Sequence, residues 1–64
     1  MSANNYLLVE RTDKTFTLSD VDFDGEDGGG FYIHTDIKTL EETIRLAQDY
    51  MIENEVEYGI HFDL

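Results

Sequence analysis

The sequence has no cysteine, no proline and no tryptophan, and only four basic residues among its 64. Each absence excludes something. Without cysteine there can be no disulfide framework, and the chain fits a reducing compartment. Without proline, no strand or helix carries a built-in break. With 15 acidic residues against four basic ones, the net charge is −11, and nucleic acid and anionic membrane surfaces would repel it. Long apolar runs are missing too. The longest near the start, Tyr6-Leu7-Leu8-Val9, is far short of a signal-peptide core of about 7–15 residues, and no segment approaches the ~20 needed to span a bilayer. These features predict a cytoplasmic protein with no direct contact to nucleic acid or membrane.

What is present is enough to fold. Hydrophobic residues make up 41% of the chain and aromatic residues 12%, too apolar for an acidic disordered tail. Residues 1–64 are expected to form a single domain with a small core, because a chain of this size buries only roughly 60% of its unfolded surface. Tyr6 to Arg11 predicts a first strand with apolar side chains on both faces, Tyr6 and Leu8 against Leu7 and Val9. A polar turn, Thr12-Asp13-Lys14, leads to a second strand from Thr15. There Val21 and Phe23 fall on the opposite parity from Phe16 and Leu18, so a bulge or turn is expected near Ser19-Asp20. A glycine-rich loop, Asp24 to Gly30, precedes a third strand over Phe31–His34.

Ile37, Leu40, Ile44, Ala47 and Met51 recur at helical spacing and predict one amphipathic helix that fades near Asn54, a candidate left-handed stop. Asp36 can cap it, as can Thr39 with Glu42 at the capping-box spacing. A last strand follows, with Val56, Tyr58, Ile60, Phe62 and Leu64 alternating against polar residues. The expected fold is therefore α+β, a two-layer β-β-β-α-β unit. Its four-stranded sheet is mostly antiparallel, in the order 4-1-2-3, and one helix covers one face. A right-handed crossover through the helix sets the last strand parallel beside the first.

This order of elements, with Thr39-Leu40-Glu41-Glu42 opening the helix, is similar to that of the HicB-type antitoxins. Those proteins neutralise a small basic RNA-cleaving toxin. The similarity implies a basic, RNA-binding partner, and it carries over no site residue.

Catalysis finds little material. Ser19 has no histidine near it in sequence, and the Gly28-Gly29-Gly30 run lacks the lysine and following helix of a phosphate loop. The chain is expected not to be an enzyme and to hold no cofactor. Asp20-x-Asp22-x-Asp24-Gly25 matches the first half of a calcium loop, but Phe31 falls where such a loop needs its bidentate glutamate. A calcium-binding module is an alternative on that basis. His34-x-Asp36 and His61-x-Asp63 pair imidazole with carboxylate, on strands expected at opposite edges of the sheet.

The acidic residues are distributed unevenly. No base lies between Lys14 and Lys38, where Asp20, Asp22, Asp24, Glu26 and Asp27 accumulate, and none follows Arg45, where Glu53, Glu55, Glu57 and Asp63 lie. Carboxylates at alternate strand positions stand about 6.6–6.8 Å apart, close to every second phosphate of one DNA strand at about 3.4 Å each. Those nine residues are the candidate partner-binding site. Its expected function is to bind, and inhibit, a basic nucleic-acid-binding protein. High negative charge also serves solubility, and a structural homodimer through the open sheet face, with Leu7 or Val9 and Tyr32, is the other alternative.

Overall fold

A computed structural model describes residues 4–22 and 29–64. Apolar side chains of both parities predict that the first strand lies inside the sheet, and it does. Strand β1 (Asn5–Thr12) sits between β2 (Thr15–Asp22) and β4 (Ile60–Asp63), and β3 (Gly30–Ile37) lies outside β2. The order β3-β2-β1-β4 is the expected one read from the other edge. Pairs β1/β2 and β2/β3 are antiparallel and β1/β4 is parallel, so the sheet is mixed.

The bulge expected near Ser19-Asp20 is absent from the first hairpin, where β1 and β2 pair without interruption from Asn5↔Asp22 to Thr12↔Thr15. Val21 instead shares the open face with Tyr6, its register partner. Asp20 takes the position facing the helix. The irregularity falls between β2 and β3, with register shifts on either side of Leu18. Strand β3 is longer than expected, and Ile37, counted in the helical stripe, is a buried strand residue opposite Phe16. Phe23 lies outside the described residues.

Helix α1 (Leu40–Glu53) starts at Thr39, whose hydroxyl accepts a hydrogen bond from the Glu42 amide at 3.1 Å; Asp36 is not the cap. The face it buries is rotated from the expected one. Thr43 and Ala47 are buried, and Leu40, Leu46 and Tyr50 pack beside the core, whereas Met51 is 36% exposed. Thr43 can be buried because its hydroxyl donates to the Thr39 carbonyl at 2.8 Å. The helix lies nearest β2 and β3. It seals Leu7, Val9, Leu18 and Ile37. It leaves the outer part of β4 uncovered, with Phe62 and Leu64 exposed and the strand itself only Ile60–Asp63. Val56 and Ile60 still reach the core, and Gly59, at φ 76, takes the left-handed turn into β4.

Candidate functional site: an acidic pole

The strand directions decide which charges meet. The β1–β2 turn carries Lys14, with Arg11 just before it, and the pairing of Phe16 with Ile37 brings Lys38 to the same end. Helix α1 begins there and runs towards the opposite end, with Arg45 in its first half. The opposite end gathers the start of β1, the end of β2, the start of β3 and the C-terminus of the helix. All four bases therefore belong to the first end or to the first half of the helix. At the other end stand exposed Asp22, Glu53, Glu55 and Glu57. Asp22 of the first acidic tract thus meets Glu53, Glu55 and Glu57 of the second.

Asn5 is the residue that ties them. It is the register partner of Asp22. Its backbone carbonyl accepts from the Tyr58 amide at 3.0 Å, and its side-chain oxygen accepts from the Glu57 amide at 3.4 Å. The helix contributes as well. Its last turn contains no base, so Glu53 adds its charge to the partial negative charge of the exposed carbonyls. Asn54 closes the helix with its backbone N–H and its side-chain amide, both on the Tyr50 carbonyl, in an extended conformation rather than the expected left-handed one.

Several sequence expectations need correcting. Asp20 is not a surface acid: it is 8% exposed and its carboxylate accepts from Asn5 Nδ2 at 2.8 Å and from the Tyr50 hydroxyl at 2.7 Å. It fastens the helix to the sheet. Glu53, Glu55 and Glu57 lie on the helix end and the irregular segment after it, so the strand spacing invoked for a phosphate array does not apply to them. Asp63 pairs with Glu10 further along β1 and stands apart from the pole. Asp20 and Asp22 belong to β2 rather than to a calcium loop, and no group of three potential metal ligands occurs among the described residues. Asp24, Glu26 and Asp27 lie outside the described residues. Leu7 and Val9, assigned to an open-face dimer, are fully buried under the helix; Leu8 faces the open side.

His34 and His61 are on the two outer strands, as the order of elements required. The His61 ring stacks on Tyr6 with centroids 4.4 Å apart, and its Nε2 lies 3.1 Å from the Tyr58 carbonyl. Ser19, the one strand hydroxyl considered for catalysis, is buried and donates to the Leu8 carbonyl at 3.4 Å.

Sequence reading missed Asn5 and Tyr50. Burial, then the hydrogen bond to Asp20, then the Asp20 charge raise the Tyr50 phenol from its ordinary 10.0 to about 12. A phenol held protonated by the fold stabilises it fully below pH 10, and that contribution is lost as pH rises from 10 towards 12. Absorbance titration should therefore show a tyrosine step displaced above pH 10 towards 12. Tyr50→Phe should remove that late step; its persistence in the variant would dismiss the assignment.

Comparison of the chain with protein-family models, with curated proteins and with solved structures returns no match, so the site is read from its own residues. No helix among the described residues is long and apolar enough to cross a membrane.

Proposed function

We propose that this chain is a protein-binding module whose acidic pole engages a basic, nucleic-acid-binding protein and keeps it from nucleic acid. The observation that carries the reading is the segregation of charge. Asp22, Glu53, Glu55 and Glu57 share an end of the molecule from which Arg11, Lys14, Lys38 and Arg45 are all displaced. Such an end concentrates negative potential, attracts a basic surface over roughly the Debye length of 8–10 Å, and repels phosphate. Binding here is mainly a matter of encounter and register, and apolar contacts beside the pole would set how long the complex lasts. Catalysis is not part of the proposal. His61 and Ser19 are occupied in packing and hydrogen bonds of the fold.

The test is affinity capture from lysate of the source organism, washed in parallel at low and high salt, with the wild-type chain and with a variant carrying Glu53→Lys, Glu55→Lys and Glu57→Lys. These positions are exposed, so the variant should melt within a few degrees of the wild type. A basic nucleic-acid-binding protein held at low salt, released at high salt and lost from the variant is the expected result. With that partner purified, charge reversal should slow association by about tenfold or more at low salt. Equal retention by the variant, or an unchanged association rate, would overturn the proposal.

A further inference from the structure

Most of the large apolar side chains left exposed stand at the two edges of the sheet, Tyr32 among them on its open face. On β3, the neighbours Phe31 and Tyr32 are 58% and 68% exposed and point to opposite sides of the sheet. Ile52, 81% exposed, stands over the same edge, beside a groove between helix and strand that Ile33, His34, Leu46, Asp49 and Glu53 also line. β3 pairs only with β2 among the described strands, so its outer side offers a row of backbone N–H and C=O groups. Soluble proteins usually protect such an edge with lysine, proline, a bulge or a very short strand. β3 is eight residues long and has neither lysine nor proline; its register shifts against β2 fall after Tyr32, so Gly30–Tyr32 pairs regularly, and it carries no charge until Asp36. Residues 28–35 contain no Asp, Glu, Lys or Arg, in a chain of which 30% is charged.

We infer that β3 is a pairing edge for a second copy of this chain: the two β3 strands align antiparallel across a two-fold axis and join the two four-stranded sheets into one. Three observations select a second copy as the occupant. The strand itself is uncharged from Gly30 to Thr35 and offers a basic partner less than the acidic end does. A two-fold antiparallel pair is self-complementary, each β3 meeting the same strand of its mate. Antiparallel alignment also sets the start of one β3, next to the acidic pole, beside the end of the other, where Lys38 and Lys14 stand among Asp13 and Asp36. The two poles, which hold carboxylates without bases, are thereby kept apart. The opposite edge is a poorer template. β4 has four residues, and Asp63 closes it.

Repulsion between two chains of −11 each is long-ranged and screened by salt. Dimerisation should therefore strengthen as salt is raised, whereas association with a basic partner weakens, so the two proposals fail separately. Sedimentation equilibrium at micromolar concentration is expected to show a reversible dimer whose dissociation constant falls with salt. Tyr32→Lys should raise that constant by about tenfold or more, and Phe62→Lys on the other edge should leave it unchanged. Because the chain has no cysteine, single-cysteine variants give an independent readout of register. Phe31→Cys, Tyr32→Cys, His34→Cys and Thr35→Cys place thiols along the edge, and those whose mates come within about 7 Å should oxidise to a covalent dimer, while Phe62→Cys should not. A monomer at every salt concentration, or crosslinking through position 62 and not through β3, would overturn the inference.

Discussion

Replacing Asp20 by alanine is expected to lower the free energy of unfolding by about 2–4 kcal/mol, because it removes the acceptor from two partly buried donors at once. Asn5 Nδ2 and the Tyr50 hydroxyl both point at this carboxylate, one from the neighbouring strand and one from the helix. A domain of this size has a total stability of about 3–10 kcal/mol, so the loss is a large part of it. Urea unfolding followed by circular dichroism measures it directly. Asp20→Asn, which keeps one carbonyl acceptor, should fall between the alanine variant and the wild type. A double-mutant cycle with Tyr50→Phe should show coupling of about 0.5–3 kcal/mol. A change below about 0.5 kcal/mol in Asp20→Ala would mean that water replaces the carboxylate at little cost, and the tether would then have no structural weight.

Leu18→Ala should cost as much or more, about 2–5 kcal/mol in the same assay. Leu18 is fully buried in the middle of β2, opposite Val9, and the core around it has few other fully buried large side chains. There is little material nearby that can collapse into the space. Met51→Ala offers the contrast. Met51 belongs to the apolar spacing in the sequence yet is 36% exposed, so truncation there should cost less than about 1 kcal/mol. If the two variants were equally destabilised, the helix would be rotated from the orientation described above.

That contrast shows which parts of the fold the sequence could convey. Element types and strand order were legible because they follow from local periodicity and from the chirality of a crossover. The helix orientation was not, because Thr43 and Tyr50 count as polar in any apolar stripe. Their burial depends on a hydroxyl reaching the Thr39 carbonyl and a phenol reaching Asp20. Asp20 itself was unreadable in the same way. Its partners lie 15 and 30 residues away, and without them a carboxylate between acidic neighbours looks like surface. The candidate site was legible as two stretches without bases. That Asp22 comes to the same end as Glu53, Glu55 and Glu57 depended on the antiparallel hairpin, the return of the helix and the grip of Asn5 on the segment before β4.

The segregation of charge also gives the molecule a direction. A sphere of the same net charge would drift towards a positive surface in any orientation, and most first touches would be unproductive. All four bases lie towards one end, where Asp13, Asp36, Glu41 and Glu42 offset them, and the other end carries carboxylates alone, so the field of that surface exerts a torque as well as a pull. The chain turns while still separated by water, and the first touch falls on the same end each time. Net charge then governs how often the two bodies meet, and the dipole governs how they are facing when they do.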